Sequence, residues 1–283
     1  MFANAVAVGV FGNLAKKSLA LDNYLPQLLY GVRIISGRVL LLALDLTTGQ
    51  IQDLSATTPE ITLLPNERLS SFTLLPNGTF ILATAPVTAT ITRPPASLSR
   101  LLSFSSPQTL PPLQGLERNS TVESLLGTNE RELLSIISLN QGTPPFRLAT
   151  IDLQTGQVSF INQLLLEPNR RFSNLAQSPD GRIYATSIAG AGATGLVQLE
   201  LQLENVINLS QLSFNNQFLG NDLASLTYSP ANQLFALADP TYKGINSVFR
   251  VDESTGVMEM LTDFEVDKII FARSKSKRMA LYK

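Results

Sequence analysis

The chain of 283 residues contains no cysteine, no histidine and no tryptophan. Without cysteine there is no disulfide, thiolate metal site or thiol nucleophile, and without histidine there is no imidazole acid–base chemistry. Lysine is scarce in the body of the chain, where Lys243 is the only one between Ser18 and Asp267. Asn, Gln, Ser and Thr supply the polar surface instead, a composition that leans toward an extracytoplasmic location. No run of about 18 apolar residues occurs, so no transmembrane segment is expected. The opening MFANAVAVGVFGN is apolar and rich in small residues, but no basic residue precedes it and Lys16 and Lys17 follow it. It fits a truncated signal peptide or a first β-strand.

What is present describes a folded chain. Apolar residues make up 44% of it and the mean hydropathy is +0.15. The net charge is −1, unevenly spread. Lys268 to Lys283 hold six basic residues and no acid, which leaves 15 of the 21 basic residues against all 22 acidic ones in the rest. A mildly acidic body with a short basic tail is not a nucleic-acid footprint, so no nucleic-acid partner is expected. The tail reads as solvated surface.

A phrase of two strands around a tight turn recurs. It is clearest in FSNLAQSPDGRIYAT, Phe172 to Thr186. LSSFTLLPNGTFILAT, VESLLGTNERELLSII and LASLTYSPANQLFALA repeat it, with turns at 76, 129, 179 and 230, about fifty residues apart. Each copy has an apolar residue, two mostly small ones, another apolar residue and then the turn. A second phrase, apolar-Asp-x-x-Thr-Gly, occurs at Asp45, Asp152 and Asp252. There Asp can cap backbone N–H groups and Gly supplies the positive φ that closes a hairpin.

Four antiparallel strands per fifty residues, repeated, predict an all-β chain, a β-propeller of four-stranded blades spanning residues 1–283 as a single domain. SPDGRIYAT followed by an Asp-x-x-Thr-Gly hairpin resembles the blades of the broad WD-repeat, NHL and quinoprotein-like superfamily. Weaker copies near Asn23 and Lys275 bring the expected number of blades to six, with five as the alternative. The N-terminal NAVAVGVFG would close the ring by supplying a strand to the C-terminal blade. Residues 92–146 are irregular, with proline pairs at 94–95, 111–112 and 144–145 that point to loops or an outer edge.

Candidate chemistry sits where the loops leading into the innermost strands converge on the axis. By the alignment those loops carry Glu67, Arg68, Glu123, Arg170, Arg171, Asn174, Asn221, Asp222 and Asp267. Carboxylates and amide carbonyls from several blades could hold a hard cation such as Ca²⁺. Asn174 in SNLAQSPDG is similar to the Asn-Gly-Leu-Ala-x-SPDG segment of gluconolactonase- and regucalcin-like propellers. That resemblance implies a divalent metal, Ca²⁺ or Zn²⁺, on Asn174 with Asp222, and lactone or ester hydrolysis. The chain departs from the pattern in having Leu175 after the Asn and no Glu-Gly-Pro segment near its start. AGAGATG at 189–195 fits a dinucleotide fingerprint only in its glycines, since it joins two strands. Asp45, Asp152 and Asp252 read as turn caps. Arg170 and Arg171 could clamp an anion, and Asn77, Asn119 and Asn208 sit in N-x-S/T triplets.

No complete catalytic constellation emerges, and no resident cofactor is expected beyond that possible cation. The sequence leans away from an enzyme and toward a monomeric binding or scaffolding propeller for a protein partner or small polar ligand. Glu67, Arg68, Glu123, Arg170, Arg171 and Asp267 are its candidate contacts. A metal-dependent lactonase or esterase and an extracytoplasmic ligand sensor are the alternatives.

Overall fold

Consecutive strands pair with one another antiparallel, so each hairpin extends the sheet begun by the one before. The result, in a computed structural model describing residues 28–87, 99–105, 109–220 and 223–272, is a five-bladed β-propeller. Blade I has Lys268–Phe271 innermost, then Leu28–Ile35, Arg38–Asp45 and Ile51–Asp53, with Ile61–Thr62 also on Arg38–Asp45. Blade II comprises Glu67–Leu74, Phe80–Pro86 and Leu101–Ser103. Blade III comprises Thr121–Gly127, Glu132–Asn140, Thr143–Asp152 and Val158–Phe160. Blade IV runs through Arg170–Gln177, Ile183–Ala189, Gly195–Glu200 and Asn205–Gln211. Blade V runs through Leu223–Tyr228, Leu234–Ala238, Ser247–Val251 and Met258–Asp263. Among the described residues the only helix is a single 3₁₀ turn, Ser55–Thr57, and no helix is long and apolar enough to cross a membrane.

The blade number corrects the expectation of six. Lys268–Phe271 does not start a further blade; it pairs with Leu28–Ile35, Leu29 opposite Phe271 and Val32 opposite Lys268. The C-terminal strand thus supplies the innermost position of a blade whose other strands come from the N-terminal end. The strand expected to open a sixth blade at the C-terminal end is thus the innermost strand of blade I. NAVAVGVFG, Asn23 and Lys275 lie outside the described residues.

The core is distributed between blades. Each of the five clefts between neighbouring sheets holds its own apolar cluster, as where Val32, Leu41 and Ile61 of blade I meet Phe72 and Leu82 of blade II. Phe146 and Leu148 of blade III meet Phe172 and Val197 of blade IV in the same way. The remaining clefts are filled alike, including that between blades V and I, where Leu237 and Val248 pack on Leu29 and Ile269. At roughly 25 cal/mol per Å² of apolar surface removed from water, sheet-on-sheet burial of this kind is the main favourable term.

Polar side chains add a second join, between the innermost strands. The hydroxyls of Ser71 and Thr73 accept the backbone N–H groups of Leu125 and Gly127 on the next blade, at 2.8 and 3.0 Å. Ser124 accepts the N–H of Leu175 at 2.7 Å, and Ser225 and Thr227 accept those of Ile269 and Phe271 at 3.3 and 3.2 Å. The small residues of the repeat are therefore blade-to-blade clasps. Counting along the strands from these bonds, Ser71, Ser124, Asn174, Ser225 and Lys268 occupy equivalent positions in the five blades.

The Asp-x-x-Thr-Gly turns close as their chemistry requires. Asp152 Oδ1 accepts the N–H groups of Gln154 and Thr155, both at 2.8 Å, and Gly156 lies at φ +74°. These accepted bonds hold the carboxyls of Asp45, Asp152 and Asp252 below the usual range. Gly156 and Gly256 have a further duty. Their backbones meet the segment arriving from the previous blade, with Gly156 O accepting Gln114 N and Gly256 O accepting Ser213 N, each at 2.9 Å. Pro144 and Pro145 fall inside the third strand of blade III, not at an edge. The ladder is interrupted there, between Thr143 and Phe146, so no pairing is forfeited at the prolines.

Candidate functional site

All five innermost strands start on one face of the ring, and four of them carry an irregularity just after the start. The pairing skips Ser70, Glu123 and Ala224, and in blade IV it shifts between Ser173 and Ala176. Such bulges re-aim a side chain that a regular strand would send into the sheet. Here they bring Arg68 of blade II and Glu123 of blade III together. Arg68 Nη2 donates to both carboxylate oxygens of Glu123, at 2.8 and 2.9 Å. Glu123 also accepts from Thr121 Oγ1 at 2.6 Å, and its side chain is only 3% exposed against 34% for Arg68. The Gln141–Gly142 turn closes over the pair. A Cβ at Gly142 would stand 3.3 Å from both Arg68 Nη2 and Glu123 Oε1.

Lys268 joins this group from blade I. Its half-buried ammonium donates to the carbonyl of Ala224 at 2.5 Å. Burial, reinforced by the charges of Arg68 and Arg171 and opposed by those of Glu123 and Asp267, pushes its pKa down to about 8. Read with the basic tail, Lys268 is solvated surface; in the structure it is part of the innermost strand. The legible signal is the apolar Ile269-Ile-Phe271 directly after it, one blade beyond Ser225.

Asn174, the candidate metal ligand, sits at φ +54° in the blade IV irregularity. Its amide nitrogen donates to Ser173 Oγ at 3.3 Å, Thr186 Oγ1 at 3.2 Å and the carbonyl of Leu223 at 3.4 Å. That last bond reaches blade V, so Asn174 also links its blade to the next, but by donating to a carbonyl where Ser71, Ser124 and Ser225 accept an N–H. With Arg171, Thr186 and Thr194 it lines a polar recess of about 10 Å³, room for one water at most. Asp222 and Asn221 lie outside the described residues. Among those described, no three acidic residues come together as a metal site.

The remaining candidates point elsewhere. Glu67 turns away from the mouth into blade II, where Arg100 donates to it from Nε at 2.7 Å and Nη2 at 2.5 Å. Thr84 Oγ1 at 3.2 Å and the N–H of Leu64 at 2.8 Å complete its shell. Burial raises the Glu67 carboxyl, but Arg100, Leu64 and Thr84 together outweigh it and the net shift is downward. Arg170 reaches toward the outer strands, to Glu167, Ser187 and Asn208, beside a recess of about 260 Å³. Asp267 Oδ2 accepts the N–H of Ile34 at 2.7 Å. A cavity of about 770 Å³ lies on the opposite face between blades III and IV, where Glu132, Gln177 and Arg182 line it.

No protein-family model matches the chain, and no curated protein matches it. Solved structures are similar in fold. One is a protein of unknown function from Bacteroides caccae, 10% identical with TM-score 0.49, over 88% of this chain and 100% of that one. TolB from Acinetobacter baumannii is 13% identical with TM-score 0.47, over 88% of this chain and 55% of TolB. A puromycin-hydrolyzing peptidase from Mycobacterium tuberculosis is 15% identical with TM-score 0.44, over 83% of this chain and 36% of the peptidase. This chain thus spans about half of TolB and about a third of the peptidase. At these identities the likeness is one of fold.

Proposed function

We propose that the protein is a non-enzymatic binding module, a rigid five-bladed scaffold that receives a small polar ligand or a partner's polar segment at the mouth formed by its innermost strands. The observation that carries this reading is the bond between Arg68 and Glu123. It commits both oxygens of the buried carboxylate to a neighbouring blade, so Glu123 serves as a structural link and not as a proton acceptor. Glu67 on Arg100 and Asp267 on the Ile34 N–H are committed in the same way. The lysine-poor, amide-rich body favours a monomeric protein in an extracytoplasmic setting, with no nucleic-acid partner.

A thermal-shift screen combined with turnover assays tests the reading. Sugars or organic acids should raise the melting temperature, Ca²⁺ and Zn²⁺ should leave it unchanged, and lactones and esters should not be hydrolysed. Metal-dependent lactone or ester turnover that disappears in Asn174→Ala would establish the hydrolase alternative instead.

A further inference from the structure

We infer that the cavity of about 770 Å³ between blades III and IV, on the face opposite the mouth, binds a small organic cation, a primary amine carried on an apolar body. The inference goes beyond the reading above and does not rest on it, since the mouth contributes no residue to this cavity. Three observations support it. The size is that of a small-molecule pocket, typically about 300–1,000 Å³. Its floor is one end of the apolar cleft between the two sheets, where Leu134, Ile183 and Leu199 are buried and Ile161 and Leu201 pack beside them. Of the four charged residues that line it three are acidic, and Asp180 is neutralised by Arg182 at 2.8 Å. Glu132 and Glu200 remain, one from each blade.

Glu132 is the group that receives the ammonium. It alternates with Leu134 and Ile136 along its strand, and both of those belong to the apolar cluster between blades III and IV, so all three face the same side. The Glu132 carboxylate accepts one long bond, from Asn129 Nδ2 at 3.4 Å, and among the described residues it pairs with no cation. Arg131, beside it in sequence, lies in the field of Asp152. Glu200 likewise has only an amide for a partner, Gln198 Nε2 at 3.2 Å, and adds to the negative field. An ammonium has three donors to place. Gln177, also in the lining, spends its amide nitrogen on the Gly181 carbonyl at 3.2 Å, which leaves its amide oxygen as a second acceptor. An anion would meet two carboxylates and an arginine already bound to Asp180 through Nε and Nη2. A neutral apolar ligand would cover the floor and leave Glu132 desolvated without a counter-charge. A protonated amine on an apolar body satisfies both.

The absence of tryptophan makes the test direct, because an added indole can be followed by its own fluorescence. Tryptamine, tryptophol and indole-3-propionate share one ring and differ in carrying a cationic, neutral or anionic side chain. Each would be titrated with the whole protein at pH 7 and followed by fluorescence anisotropy. Tryptamine should bind about tenfold more tightly than tryptophol, as expected of a hydrogen bond to a charged group, and the propionate should not bind. Glu132→Gln keeps the shape of the side chain, and it should lower the tryptamine affinity about tenfold while leaving that of tryptophol unchanged. Added salt should weaken tryptamine binding to the wild type and not that of tryptophol. Tryptamine and tryptophol bound alike, or tryptamine not bound at all, overturns the inference. So does a tryptamine affinity that Glu132→Gln leaves intact, since the amine then sits elsewhere. Should Glu132→Gln not fold, the difference between tryptamine and tryptophol in the wild type, and its salt dependence, decide.

Discussion

The hydroxyl of Ser124 accepts the backbone N–H of Leu175, 51 residues further along the chain, at 2.7 Å and out of contact with water. Ser225 does more at the junction of blades V and I, accepting Ile269 N and donating to Ile269 O at 3.1 Å. Removing either hydroxyl leaves a buried backbone group unpaired, so Ser124→Ala and Ser225→Ala should each cost about 1–3 kcal/mol. Urea unfolding measures it, as a lower midpoint with an unchanged slope. A loss below roughly 0.5 kcal/mol, ordinary for a surface substitution, would mean that the clasps are incidental.

Asn174→Asp separates two roles for that residue. As a clasp, the side chain works through its Nδ2 donors, which face a carbonyl and two hydroxyls. A carboxylate loses those donors and opposes the Leu223 carbonyl, so stability should drop by about 1–3 kcal/mol and Ca²⁺ should not restore it. As a metal ligand, the added charge would instead strengthen Ca²⁺ binding and raise the melting temperature with Ca²⁺. Thermal melts with and without the ion decide.

Three glycines at the same place in the same phrase should respond unequally to alanine. Gly49 has φ +71° and open space around it, so Gly49→Ala meets only the backbone penalty of about 1 kcal/mol. At Gly256 a Cβ would stand 2.1 Å from the Gln211 carbonyl oxygen, and at Gly156 2.2 Å from that of Pro112. Those variants must displace the incoming strand and should lose more than about 2 kcal/mol in the same unfolding assay. Equal losses at all three positions would show that turn conformation alone sets the requirement.

These cases mark what can be read in the chain and what cannot. The turns and the all-β repeat were legible because they are local: Pro179-Asp-Gly181 and Asp152-x-x-Thr-Gly156 impose their geometry on whatever surrounds them. The blade number was not, because the closing strand lies about 240 residues from its partner and only pairing reveals it. Ser71, Ser124 and Ser225 looked merely small, since their function resides in the next blade. At the mouth, the alignment places Arg68 and Glu123 on neighbouring strands, but their bond depends on where the bulges fall and is visible only in the structure. Glu67 beside Arg68, and Arg170 beside Arg171, are candidates for the same reason, but successive residues of a strand face opposite ways. One of each pair therefore turns outward.

The buried pair of Glu67 and Arg100 predicts a reversal of pH dependence. Its carboxyl sits below the ordinary value in the folded protein, so its contribution to stability is present above about pH 4.5 and is lost as the pH falls through the folded value. Arg100→Met strands a carboxylate whose side chain is 1% exposed, at a cost of about 3–5 kcal/mol near pH 7. Burial then dominates and raises that carboxyl, so acidification toward pH 5 should restore part of the loss. Unfolding free energies at pH 5 and pH 7 check the sign, and a variant that only weakens further in acid refutes the account.

Lys268 predicts the opposite limb of the pH curve. Its folded pKa of about 8 lies below the ordinary 10.5, so between those values the unfolded chain binds the additional proton. Stability from this group therefore rises with pH across that window. Below about pH 8 the cost of the half-buried ammonium is fully present, at most about 3 kcal/mol and less where solvent screens it. Lys268→Met removes the charge, so the variant should be more stable than the wild type at pH 7 and the difference should shrink toward pH 10. Urea midpoints at pH 7, 8.5 and 10 follow both proteins through the window. A wild-type curve parallel to that of Lys268→Met would mean that the ammonium is not strained at all.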